Sequence, residues 1–136
     1  MLSRYRYVKR AIDVVGATVG LALMAVPMAF IAVAIKWDSD GPVFFRQLRM
    51  GRHSVPFVCY KFRSMYISAP KECAANDLQD RVHMVTRVGN FLRKSSLDEV
   101  PQLWNVLKGD MSLIGPRPLI LKEKWINEER MKRGVY

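Results

Sequence analysis

Cysteine is scarce in this chain. There are two in 136 residues, Cys59 and Cys73, and they form no Cys-x-x-Cys pair. That excludes a disulfide framework and a zinc ribbon, and leaves ordinary thiols of a reducing compartment. Histidine is equally sparse: His53 and His83 stand apart from any Cys, Asp or Glu cluster with ligand spacing. Acidic residues are few, 12 against 22 Lys plus Arg, which gives a net charge of +10. Such a balance points to an anionic partner: nucleic acid, an anionic membrane surface or a phosphorylated substrate. The aromatics do not interleave with Lys and Arg as a base-stacking platform requires, so no nucleic-acid partner is expected. No internal repeat or low-complexity tract is present, and the length suits one domain rather than two.

Charge is missing altogether from residues 14 to 35, "VVGATVGLALMAVPMAFIAVAI". As a helix this run reaches about 33 Å, enough to cross a bilayer core. It has no polar face, which argues against a buried helix of a soluble domain. It runs straight into Lys36 and Trp37 without a small-residue cleavage site, so it does not read as a signal peptide. Both flanks are basic: Arg4, Arg6, Lys9 and Arg10 before it, and Lys36, Arg46, Arg49 and Arg52 after it. Basic flanks favour the cytoplasmic side. A straight span would export one of them. Pro27 lies a little past the middle and is expected to break the helix. A chain that turns there and leaves on the side it entered keeps both flanks cytoplasmic. On the residues alone, the re-entrant helix and a kinked spanning helix both stand. Asp13 is expected to pair with Arg10 at the membrane interface.

The remainder has a different character. Asp38 to Gly41 followed by Pro42 is turn chemistry. Residues 43 to 62 predict a β-hairpin that turns at "MGRHS", Met50 to Ser54, and presents Lys61 and Arg63 beside Tyr60 and Phe62. Residues 68 to 81 read as a polar loop. "TRVGNFLRK", Thr86 to Lys94, predicts a short helix with Val88, Phe91 and Leu92 on one side. Leu97, Val100, Leu103, Trp104 and Leu107 recur at helical spacing up to Gly109, and their apolar side is expected to be core. "GPRP", Gly115 to Pro118, is a stiff loop that fixes Arg117 in place. Residues 121 to 133 predict a charged helix with Leu121, Trp125 and Ile126 facing inward. The expected fold class is α+β, mostly helical. Its domains are a membrane-inserted helix over 1–37, broken near Pro27, and a cytoplasmic domain over 38–136.

Asp98 and Glu99 pose a choice. Ser96 followed three residues later by Glu99 is a capping-box pattern, which makes the carboxylates architecture. A helix N-terminus favours negative charge and also attracts phosphate. Adjacent helical residues point about 100° apart, so the two cannot share a proton as a dyad and would take separate roles. One ionised carboxylate can attack phosphorus. The other can hold Mg2+, which suits carboxylate plus substrate phosphate. Lys61, Arg63, Arg93 and Arg117 are the candidates for binding the substrate's negative charge.

The stretches "KRAIDVVGATVGLAL", "DGPVFFRQLRMG", "YKFRSM" and "TRVGNFLRKSSLDEVPQLWNVLKGDMSLIGPRPL" resemble the bacterial sugar transferases, the monotopic phosphoglycosyl transferases, from about Lys9 to Leu119. The resemblance implies transfer of a phosphosugar from a UDP-sugar to undecaprenyl phosphate, with release of UMP. It implies Asp98 as covalent nucleophile, Glu99 as ligand of Mg2+, Arg117 in contact with the nucleotide sugar, and a re-entrant apolar helix. It places the protein on the cytoplasmic face of the bacterial inner membrane, among membrane lipids, in capsule, exopolysaccharide or lipopolysaccharide synthesis. Association with further copies of the chain is compatible with it. Two departures are visible: Val26 stands where the family has a serine before the proline, and family members continue past Tyr136 into a "PGITG"-like segment. The second departure leaves an alternative, a membrane-anchored remnant that binds substrate or sibling subunits without turnover.

Overall fold

The computed structural model describes residues 2–51, 55–69, 82–121 and 124–134. The expected turn at Met50 to Ser54, the polar loop after residue 69, His53 and Cys73 lie wholly or partly outside that set. The elements, in chain order, are helix α1 (Leu2–Asp38), strands β1 (Phe44–Met50) and β2 (Pro56–Phe62) and helix α2 (Arg87–Lys94). A 3-10 turn (Leu97–Glu99), helix α3 (Gln102–Lys108), strand β3 (Leu119–Ile120) and helix α4 (Lys124–Lys132) follow. The class is therefore mostly helical with a small antiparallel sheet, in the order β2-β1-β3. The hairpin forms where the alternating, β-branched and aromatic residues predicted it. Strand β3, two residues that pair Arg49 with Ile120 and Met50 with Leu119, is too short to leave a sequence signal.

α1 is apolar and long enough to cross a membrane, and almost none of its apolar stretch is buried within the protein. Helical structure runs from Leu2 to Asp38 with Pro27 inside it. Proline removes one backbone donor and crowds the preceding turn, but the hydrogen bonds on either side hold the helix together. Any reversal of the chain at this point is therefore a bend of a helix and not an interruption of it.

The chain forms two compact units. One comprises Met1–Leu23, Leu48–Cys59 and Gln102–Tyr136; the other comprises Met24–Gln47 and Tyr60–Pro101. In the first unit a polar network anchors α1. Asp13 is buried and accepts hydrogen bonds from Ser112 Oγ at 3.0 Å and the Leu113 amide at 3.1 Å. Its ion-pair partner is Lys9, at 3.5 Å, and not Arg10 as expected. Arg10 instead donates to the Val106 and Leu107 carbonyls, both at 2.6 Å. Those are carbonyls of the last turn of α3, which lack partners within the helix. The reason for the exchange is reach: Lys9 at i−4 faces Asp13, and the guanidinium fork fits a pair of carbonyls. Asn105, fully buried, donates to the Val58 carbonyl at 2.7 Å and to Asp110 at 3.1 Å. Its own carbonyl receives the amides of Gly109 and Asp110 where the chain leaves α3.

In the second unit the core is Ile35 of α1, Phe62 of β2 and Leu92 of α2. Met28, Ile31, Val43, Val88 and Leu97 pack around them. Phe44 stacks on Phe62 with ring centroids 5.4 Å apart. α2 is capped twice: the Gly89 amide donates to Thr86 Oγ1 at 2.9 Å and the Val88 amide to Asp38 Oδ2 at 2.9 Å. A carboxylate at that end also complements the helix dipole. α2 comes so close to residue 64 that a Cβ added at Gly89 would collide with the Ser64 carbonyl.

Some residues expected inside are outside. Phe91, Trp104 and Trp125 are all exposed, while Asn105 and Val106 are buried. Helical periodicity identifies an apolar stripe but not what covers it.

Candidate active site

Asp98 and Glu99 occupy the 3-10 turn between α2 and α3, and the capping-box reading fails. Ser95 closes α2, with its hydroxyl donating to the Phe91 carbonyl at 2.8 Å. Ser96 is then left-handed, with φ 58°, and its side chain caps nothing. A capping serine needs extended backbone to aim its oxygen at the N3 amide, which the left-handed conformation denies. The turn is held by the Glu99 amide on the Ser96 carbonyl and the Val100 amide on the Leu97 carbonyl, both at 3.3 Å. α3 begins later, at Gln102, just after Pro101. The carboxylates therefore stand outside α3 and not in its first turn.

Leu97 packs against the Ile35–Phe62–Leu92 core and so fixes the turn from below. Asp98 is 9 % exposed. Glu99 is more open, at 39 % of its side chain, and its Oε1 accepts from Lys61 Nζ at 2.7 Å. Lys61, near the end of β2, is 17 % exposed. Arg93, in the last turn of α2, donates from Nε to the buried Ser64 Oγ at 2.9 Å. That bond braces the guanidinium against the strand end. Burial pushes the Asp98 carboxyl above its ordinary value, and the neighbouring Glu99 charge adds to this. The charges of Lys61 and Arg93 pull against it without cancelling it. A helix terminus favours negative charge, but for Asp98 desolvation by burial is the largest influence.

Of the predicted site residues, the fold gathers Asp98, Glu99, Lys61 and Arg93. It turns Arg63 to another use. The Arg63 guanidinium is buried and donates to the Ser39 carbonyl at 2.6 Å, the Ser39 hydroxyl at 3.0 Å and the Asp40 carbonyl. It fastens the turn between α1 and β1. A planar fork with several donors suits a loop of bare carbonyls, so the side chain is consumed there. Arg117 belongs to the first unit, exposed in the loop between α3 and β3. That loop is tied down beside it, where Arg49 Nη1 donates to the Pro118 carbonyl at 3.2 Å. Ser64 was missed by sequence reasoning. A serine after an arginine carries no signal of its own, and only its contact with Arg93 brings it in.

Among the described residues no group of three or more His, Cys, Asp or Glu side chains comes together. At the Asp98–Glu99 turn the carboxylates on offer are those two. Mg2+ commonly binds through one or two carboxylates with substrate phosphates and water completing the shell, and this donor set fits that habit.

Comparison with known proteins agrees with the motifs. The profile of the family described as bacterial sugar transferase matches residues 4–135. A protein of Bacillus subtilis (strain 168), provisionally named an undecaprenyl-phosphate N-acetylgalactosaminyl 1-phosphate transferase, is 44% identical over 128 residues, covering 93% of this chain and 71% of that protein. The UDP-N-acetylgalactosamine-undecaprenyl-phosphate N-acetylgalactosaminephosphotransferase of Aeromonas hydrophila is 47% identical over 114 residues, 84% of this chain and 27% of that protein. The UDP-glucose:undecaprenyl-phosphate glucose-1-phosphate transferase of Escherichia coli (strain K12) is 48% identical over 113 residues, 83% of this chain and 24% of that protein. This chain thus spans most of the first relative and about a quarter of the other two. It belongs to the bacterial sugar transferase family.

Proposed function

We propose that the chain transfers a phosphosugar from a UDP-sugar to undecaprenyl phosphate at the cytoplasmic face of the bacterial inner membrane. The observation that carries the reading is a buried carboxylate, Asp98, under the charges of two cationic side chains, Lys61 and Arg93, in a turn braced by the core. The named relatives act on undecaprenyl phosphate and UDP-sugars, which supports the same substrates here.

The reaction has two displacements. An Asp98 carboxylate oxygen attacks the phosphorus that bears the sugar. The bond from that phosphorus to the bridging oxygen breaks, and UMP leaves with the electron pair. The product is a phosphosugar joined to Asp98 as an acyl phosphate. A phosphate oxygen of undecaprenyl phosphate then attacks the same phosphorus. The bond to Asp98 breaks, which restores the carboxylate and releases the polyprenyl diphosphosugar. A raised proton affinity makes Asp98 a better nucleophile so long as it is ionised. Lys61 and Arg93 offset negative charge that gathers on the phosphoryl oxygens. Glu99 would hold Mg2+ beside the diphosphate, where the ion relieves repulsion between that group and the carboxylates. α1 anchors the site to the bilayer, bent at Pro27 so that both ends face the cytoplasm.

The test is UMP release by this chain from UDP-sugars in the presence of undecaprenyl phosphate and Mg2+. Release that depends on both substrates, and is lost in Asp98→Asn, is expected. Binding of UDP-sugar with no UMP formed would favour the alternative of a binder without turnover.

A further inference from the structure

Glu99, the carboxylate assigned above to a divalent ion, is already occupied by a cation of the protein itself. Lys61 Nζ lies 2.7 Å from Glu99 Oε1, and the lysine is four-fifths buried. Mg2+ would bind a carboxylate oxygen at about 2.0–2.1 Å. A divalent ion on the same carboxylate would lie beside the ammonium, and the two like charges repel in partly buried surroundings, so binding of either weakens the hold of the other.

The charges decide which is held. Asp98 and Glu99 balance Lys61 and Arg93, so this set is neutral. A divalent ion alone would leave the set with two surplus positive charges and would strand Lys61, partly buried, without its partner. That costs free energy. A nucleoside diphosphate arriving with the ion brings the compensating negative charge and offers Lys61 a new partner. We propose that Lys61 is a resident cation that exchanges with the divalent metal on Glu99 and passes to the substrate diphosphate. Metal and nucleotide sugar are thereby made to bind together and not separately. By linkage, each then tightens the other. The inference rests on the reading of Glu99 as metal ligand. It adds that Lys61 controls access to Glu99.

The experiment is a Mn2+ titration of the full chain in detergent, followed by electron paramagnetic resonance without nucleotide and then with UDP. Folding of each variant is checked by circular dichroism. Lys61→Gln is expected to bind Mn2+ alone roughly fivefold tighter than the unaltered chain, about what loss of one partly exposed ion pair allows. UDP should then tighten Mn2+ binding less than it does in the unaltered chain. Lys61→Met, which keeps the aliphatic stem, should behave alike. Arg93→Gln controls for loss of charge alone, because Arg93 binds Ser64 and the exchange assigns it no place on Glu99. If both Lys61 variants bind Mn2+ no tighter than the unaltered chain, or no tighter than Arg93→Gln, the exchange is overturned. Glu99→Gln separates the two readings. If it abolishes Mn2+ binding while the Lys61 variants match the unaltered chain, only the exchange falls. If it leaves Mn2+ binding intact, or if Mn2+ binds nowhere on the chain, the metal reading of Glu99 falls and takes the exchange with it.

Discussion

Burying Asp98 to 9 % exposure sets two of its properties against each other, because the ionised form that the proposed attack on phosphorus requires is the form its surroundings disfavour. A carboxylate whose pKa is higher folded than unfolded favours the fold while it is protonated. That contribution is present below the unfolded pKa and is lost as pH rises through the folded one. At neutral pH the ionised side chain therefore works against stability. Asp98→Asn should raise the thermal midpoint by about 2–4 °C at pH 7.5 while abolishing turnover. The gain should shrink as the pH falls from the raised pKa of Asp98 towards the ordinary carboxylate value, which calorimetry over a pH series would follow. The same shift predicts the acid limb of the rate profile. UMP release should fall as pH drops through the raised pKa of Asp98, at a higher pH than an ordinary aspartate would give. A limb at the ordinary aspartate value would mean that the carboxyl which titrates is not the buried one. The adjacent acids were visible in the sequence, but their local pattern read as a helix cap, and only the family resemblance running through "GPRP" made them a site. Their surroundings were not visible there. Lys61, thirty-eight residues earlier in the chain, reaches Glu99 only through the hairpin. The placement of Arg63 on Ser39 and Asp40 was not legible, because charge in a motif does not say which carbonyls will claim it.

At the scale of elements, α2 carries the site. Its last turn supplies Arg93, its buried Leu92 fills the core beneath the turn, and Gly89 allows it to touch residue 64. Gly89→Ala forces a methyl group against the Ser64 backbone carbonyl, which cannot move as a side-chain tip can. It should destabilise by about 1–3 kcal/mol in denaturant titrations, as overpacking does. UMP release should fall with it, because the Arg93–Ser64 brace is displaced. Leu92→Ala opens a cavity in the same core and should cost about 2–5 kcal/mol. The hairpin and α2 were readable because β-branched and aromatic runs about a turn, and the spacing of Val88, Phe91 and Leu92, are local signals. The turn at Ser96 was not. The Ser-x-x-Glu pattern is equally present whether the serine opens a helix or links two, and the end of α2 at Ser95 decides it. α3 is shorter than its apolar periodicity suggested because Pro101 admits only the residues after it to regular hydrogen bonding.

For the whole molecule, the question is what covers α1. Val15, Val19, Leu23, Val26, Phe30 and Val33 are all exposed along a helix that carries no charge over 22 residues. Apolar side chains open to solvent over that length are far costlier in water than in hydrocarbon. The proposed bend at Pro27 makes a topological prediction. Cysteines introduced as Arg4→Cys and Trp37→Cys should both react with a membrane-impermeant maleimide added from the cytoplasmic side, and neither from the other side. Reaction from opposite sides would instead establish a straight span. Sequence showed the apolar run but could not show that helical bonding persists through the proline. One missing hydrogen bond is a small loss in a helix of 37 residues.

The most direct test of the account is to incubate the purified chain with a UDP-sugar labelled in the sugar-bearing phosphate, with Mg2+ but without undecaprenyl phosphate. Peptides carrying covalent label are then identified by mass spectrometry. Label on Asp98, discharged by adding undecaprenyl phosphate and absent from Asp98→Asn, is the predicted result. UMP formed in full yield with no labelled protein, or label on any other residue, would contradict it.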